Sequence, residues 1–127
     1  MHQTHMIING EQLPISSHRV ETIYNPANQE PVALVSVGTR QDAQTALEAA
    51  KKAFPLWSET SSEKRAELLH SAADLVRERA KSIARLLTQE QGKPLKNARA
   101  EILSSADILD YYAEEGRRNV GEWLATS

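Results

Sequence analysis

Two carboxylates, Glu90 and Glu101, flank the tripeptide Gly92-Lys93-Pro94 in the stretch QEQGKPLKNARAEI. With a lysine between them, such carboxylates can hold a cation, form ion pairs, or stand in water on either side of a turn. His2 and His5 have a spacing that can bind a metal, but they sit at a terminus, where fraying is the commoner outcome. His70 lies among charged neighbours in a helical stretch and reads as exposed. In AEEGRR, acid and base stand at ion-pairing spacings such as Glu114 to Arg118, the pattern of a solvated helix end. The chain has no cysteine, which excludes disulfides, cysteine-ligated zinc and a thiol nucleophile within it. No glycine-rich phosphate turn is present.

The elements that would position these residues fall into two zones. HMIINGEQL carries Asn9-Gly10, a dipeptide suited to a tight hairpin turn. ETIYNPANQEPVALVSVG repeats the theme, with Ile23 and Tyr24, a turn from Asn25 to Asn28, and a strand from Val32 to Val37 that Gly38 ends. Pro31 is tolerable at a strand start. β-ribbons are therefore expected over about residues 6–38, too few alone to make a stable sheet.

From Arg40 onward the period becomes helical. Ala43, Ala46, Leu47, Ala50 and Phe54 share one face, and Pro55 is expected to stop that helix. The next helix starts near Thr60 and Glu63, which have capping-box spacing. It runs through Leu69, Ala73, Val76, Ala80, Ala84 and Leu87 to Gly92, a residue suited to the position just past a helix end. The third opens at Pro94, a good first-turn residue, and carries Leu95, Ala98, Ile102, Ala106, Leu109 and Ala113. The expected helices are about 40–54, 61–91 and 94–120, followed by the start of a strand at about 122–127. The fold class is α+β. At the local level the Gly-Lys-Pro stretch is a helix–turn–helix corner.

Composition sets the outer limits. The 127 residues fit one domain with a lean core, since only two Trp, three Tyr and one Phe supply aromatic burial. A net charge of −2 gives no electrostatic reason to expect nucleic acid or an anionic membrane as partner. No apolar run approaches the ~20 residues that span a bilayer, and the start lacks the features of a signal peptide. A soluble cytoplasmic protein is the expectation. Two features do not suit a self-contained bundle. The second helix would be about 45 Å long, against a small-domain width of about 30 Å. Its Leu68, Leu75 and Leu86 also lie off the main apolar face. The chain reads as a piece of something larger.

Read together, the segments resemble the N-terminal portion of the NAD(P)-dependent aldehyde dehydrogenase superfamily. The carrying pieces are MIINGE, YNPANQEPVALVSVGTRQDAQTALEAAKKAFPLW, SSEKRAELLHSAADLVRERA, LLTQEQGKPLKNARAEI and YYAEEGRR. Each alone occurs widely; five in the family's order, from Met6 to Arg118, are specific. The resemblance implies a part of the α/β aldehyde dehydrogenase fold, with the catalytic domain absent. In the family a cysteine attacks the aldehyde, a glutamate acts as general base, and an asparagine in a Pro-Trp-Asn motif helps hold the oxyanion. None of those motifs occurs here. The full-length enzyme would take an aldehyde substrate and NAD or NADP; this chain alone is expected to bind neither cofactor and to be inactive.

The resemblance carries two candidate sites and one candidate interface. Some family members bind a monovalent cation through carbonyls just before the Asn-Pro turn and the acid just before the Gly-Lys-Pro corner. Those positions are Ile23, Tyr24 and Glu90, and the ion would be sodium or potassium. The other reading of Glu90 is a carboxylate that is solvated or paired with Lys93. The third helix lines the mouth of the family's substrate tunnel, where register places Ala100 and Ser104. Both are small, which implies a roomy entrance, yet small residues also permit close helix packing. The strand at 122–127 corresponds to a ribbon used between subunits, so a homo-oligomer is implied. The wording of AEEGRR resembles members that oxidise semialdehydes or aromatic aldehydes. The alternative from another class is a free-standing helical interaction module without catalysis.

Overall fold

The computed structural model describes residues 2–14 and 19–121; the expected strand at 122–127 lies outside them. The described strands are β1 (His2–Thr4), β2 (Ile7–Ile8), β3 (Glu11–Gln12), β4 (Val20–Tyr24) and β5 (Pro31–Ser36). The helices are α1 (Arg40–Glu59), α2 (Ser62–Gln91) and α3 (Leu95–Arg117).

β2 and β3 form a hairpin in which Asn9 (φ 54°) and Gly10 (φ 78°) both take positive φ, the requirement of the tightest two-residue turn. β4 and β5 pair antiparallel around the Asn25 turn. There the Ala27 amide donates to Asn25 Oδ1 and the Gln29 amide to the Asn25 carbonyl. β1 was not anticipated. It pairs in parallel with β5, His2 opposite Ala33, so the order is β1-β5-β4 and His2 is held in a sheet rather than frayed. His5 is also anchored, its Nδ1 lying 3.2 Å from the Leu13 carbonyl. Sequence periodicity cannot announce a three-residue strand whose side chains are all exposed.

Helix boundaries follow capping chemistry. Thr39 and Asp42 form a full capping box at the start of α1. The box expected at Thr60 and Glu63 is absent: Ser61 caps α2, accepting from the Lys64 amide, while the Thr60 hydroxyl donates to the Leu56 carbonyl. Pro55 does not stop α1, which continues to Glu59. Proline removes one intrahelical bond, and α1 lies so exposed that the freed carbonyl at Lys51 can turn to water. Ser58 and Thr60 then tie the last turn through the carbonyls of Pro55 and Leu56. α3 begins one residue later than expected, with Pro94 as its cap. It ends at Arg117 rather than 120, where the Arg118 amide folds back on the Glu115 carbonyl.

α2 and α3 pack antiparallel along most of their length. The residues buried between them are all alanines: Ala66, Ala73, Ala80 and Ala84 on α2 with Ala98, Ala106 and Ala113 on α3. Small side chains let the two backbones approach closely, but each removes little apolar area from water. α1 buries no residue at all, leaving Leu47 71% and Leu56 78% exposed. The chain exposes 9991 Å², against the ~6,700 Å² expected of a compact protein of its mass. Apolar faces that the helical pattern builds are thus left open.

Candidate functional site

Gly92 closes α2 in the left-handed region (φ 72°), its amide donating to the Thr88 carbonyl at 2.9 Å. The corner it creates packs against the Asn25-Pro26 turn: a Cβ added to Gly92 would meet Pro26 Cγ at 2.9 Å. Two motifs separated by more than sixty residues in sequence therefore meet in space, and the end of α2 sits on the end of β4. Ile23 and Tyr24 belong to that end of β4, and Glu90 lies two residues before the corner.

Glu90 is half-buried, and Lys93 does not reach it. Lys93 instead bridges the corner to Glu101. Among the described residues, the Glu90 carboxylate has no ion-pair partner. The β4–β5 ladder is irregular between Ile23 and Tyr24, where Tyr24 faces Pro31. A carboxylate without an ion-pair partner offers oxygen ligands of the kind a hard monovalent cation takes. A small cavity of about 170 Å³ lies alongside, between Asn25, Glu30, Val32 and Gln89.

Ala100 and Ser104 are exposed, off the alanine face that α3 turns to α2. The residues of α3 that are buried are Ala98, Ala106 and Ala113.

Among the described residues, the strand-to-helix junction from β5 into α1 spends its helix N-terminus on the capping box. The Asp42 amide donates to Thr39 Oγ1 at 3.2 Å, and the Asp42 carboxylate accepts from the Thr39 amide at 2.7 Å.

A charged cluster between α2 and α3 went unseen in the sequence, where His70 read as merely exposed. His70 Nδ1 lies 2.6 Å from Asp110 Oδ1 and Nε2 lies 2.9 Å from Glu114 Oε1. Arg77 donates to Asp110 Oδ2 at 2.5 Å and to Asp107 Oδ1 at 2.9 Å. The hydrogen bond to Asp110, then that to Glu114, raises the His70 pKa above its ordinary 6.5. The expected Glu114–Arg118 pair is not formed: Glu114 meets Arg117 at 3.5 Å and Arg118 meets Glu115. His70 and Arg77 are seven apart, Asp110 and Glu114 four apart, so each pair shares a helix face. Only the antiparallel register puts the two faces together.

The family described as "Aldehyde dehydrogenase family" matches residues 15–127. The NADP(+)-dependent succinate-semialdehyde dehydrogenase of Escherichia coli strain K12 is 35% identical over 118 residues, covering 93% of this chain and 24% of the relative. The NADP-dependent glyceraldehyde-3-phosphate dehydrogenase of Pisum sativum is 37% identical over 114 residues, covering 90% and 23%. Among solved structures, an NADP-dependent enzyme of Escherichia coli superposes with a TM-score of 0.93 at 33% identity, over 98% of this chain and 26% of that one. The chain spans about a quarter of the length of the curated relatives it matches.

Proposed function

This chain belongs to the aldehyde dehydrogenase family, and on that premise we propose that it serves as the N-terminal portion of an enzyme oxidising an aldehyde to a carboxylic acid with NAD or NADP. The observation that carries the reading is the junction of the Asn-Pro turn with the Gly-Lys-Pro corner through Pro26 and Gly92. It is formed within a chain that superposes almost whole on the N-terminal part of that fold. Long helices with open apolar faces support a role in shaping a larger protein. A free-standing helical module would leave Leu47, Phe54 and Leu56 to water.

In this reading the chain alone is inactive, since it has no cysteine to attack an aldehyde and no glycine-rich phosphate turn. A semialdehyde is the favoured substrate class, because a succinate-semialdehyde dehydrogenase is among the similar proteins; an aromatic aldehyde is second. Ala100 and Ser104 leave room at the substrate entrance. Ile23, Tyr24 and Glu90 hold sodium or potassium where α2 meets β4. The open helix faces support a homo-oligomer, and neither nucleic acid nor a membrane is a partner. No described helix is long and apolar enough to cross a membrane.

The test is an absorbance assay of reduced cofactor across a panel of aldehydes, with the 127-residue chain and with the longer product of its gene. Turnover by the longer product alone is expected, with semialdehydes first. Turnover by the purified chain, or inactivity of the longer product across the panel, would overturn the reading. The cation is tested on the longer product by replacing potassium and sodium with choline at constant ionic strength. A loss of stability that Glu90→Gln abolishes is expected.

A further inference from the structure

The geometry points to a proton-operated clamp between two helices: charged His70 on α2 ties down both Asp110 and Glu114 of α3, and loss of its proton lets the last turns of α3 loosen from α2. Both imidazole nitrogens face carboxylate oxygens, Nδ1 at 2.6 Å and Nε2 at 2.9 Å. An ionised carboxylate only accepts, and a neutral imidazole has one N–H to give. Only the imidazolium satisfies both contacts; in the neutral ring, one nitrogen lone pair would point at a negative oxygen.

The charges around the ring decide which contact fails first. Asp110 keeps a second donor, Arg77, which also holds Asp107 and lies 3.6 Å from Asp74. Among the described residues Glu114 has, besides His70, only Arg117, at 3.5 Å and on its own helix. On the α2 side, Glu67 is engaged by Lys64 at 2.7 Å and does not compete for the ring. Deprotonation therefore leaves Asp110 held and Glu114 released, so the change is confined to the C-terminal end of α3. The apolar contact there is thin, because the buried residues of the hairpin are all alanines. A polar contact then carries weight that a leucine-packed hairpin would not leave to it.

The sign follows from linkage. The His70 pKa is raised in the fold, by the Asp110 bond first and the Glu114 bond second, so its contribution is complete below the ordinary 6.5 and is lost as pH rises through the raised value. Asp110 and Glu114 are both lowered, chiefly by His70, so their contribution stands above the ordinary carboxylate range and is lost as pH falls through their lowered values. The clamp is closed between those limits and opens on the alkaline side.

The experiment uses the 127-residue chain, following imidazole and amide resonances by nuclear magnetic resonance and Tm against pH. The expected result is an imidazole protonated on both nitrogens at pH 7, titrating above 6.5, with amides of Tyr111–Arg117 moving at the same midpoint. The wild-type Tm should fall as pH rises through that midpoint, and His70→Gln should remove this fall. Glu114→Gln should flatten it while keeping the contact, because an amide N–H can donate to the Nε2 lone pair. A midpoint at or below 6.5, or the same fall in wild type and His70→Gln, would overturn the clamp. If His70→Gln does not fold, the wild-type titration and Glu114→Gln decide it.

Discussion

Gly92 and Pro26 stand so close that a β-carbon on Gly92 would lie 2.9 Å from Pro26 Cγ, tighter than side chains tolerate. The glycine therefore meets two demands, a left-handed backbone and a close approach. Gly92→Val should destabilise the fold by more than about 1 kcal/mol, as read by urea denaturation. Pro26→Ala in that background should recover part of the loss, the signature of a coupled pair. Lys93→Ala removes only an exposed ion pair with Glu101 and should change stability by less than about 1 kcal/mol. Equal losses at positions 92 and 93 would rule the αL cap out as the determinant.

Capping chemistry makes a second separation. Thr39 closes a reciprocal box with Asp42, whereas Thr60 only donates to a carbonyl behind it. Thr39→Ala should cost about 1 kcal/mol, and Thr60→Ala clearly less. Ser61→Ala should resemble Thr39→Ala, because Ser61 is the residue that caps α2. A larger loss at Thr60 than at Ser61 would return the cap to the position the sequence spacing favours.

The hairpin interface should reject larger side chains. Ala73 and Ala106 are fully buried, so Ala73→Leu or Ala106→Leu should destabilise by about 1–3 kcal/mol through overpacking. Leu75→Ala, at a half-exposed position, should cost much less. Thermal denaturation of the three variants ranks them directly, and a neutral Ala73→Leu would mean the helices do not approach as closely as described.

Open apolar surface on α1 should drive self-association of the 127-residue chain. Leu47, Phe54, Leu56 and Trp57 are all exposed, and a patch of that kind is an association site. Light scattering should find a dimer or larger species, and Phe54→Ser with Leu56→Ser should shift it toward monomer. A stable wild-type monomer at high concentration would remove the apolar face as a driving surface.

Local chemistry made much of this molecule legible in advance. Asn9-Gly10 specified a hairpin because only certain residues accept positive φ. Gly92 and Pro94 specified a helix–turn–helix corner for the same class of reason. Helical periodicity located three helices because burial on one side repeats every 3.6 residues. Five motifs in order carried the family, whose match over residues 15–127 is independent of any single residue.

Tertiary structure decided what depends on distant partners. Whether Pro55 ends a helix turned on the exposure of the carbonyl it orphans, which no local pattern records. The strand at His2–Thr4 exists because β5 offers a free edge. Lys93, one of the partners the sequence offered Glu90, pairs with Glu101 of α3 instead. His70 became the centre of a charged cluster only when an antiparallel register brought position 110 beside position 70. Local sequence sets backbone preference within a few residues, whereas the pairing of side chains forty residues apart is fixed by how helices and strands pack.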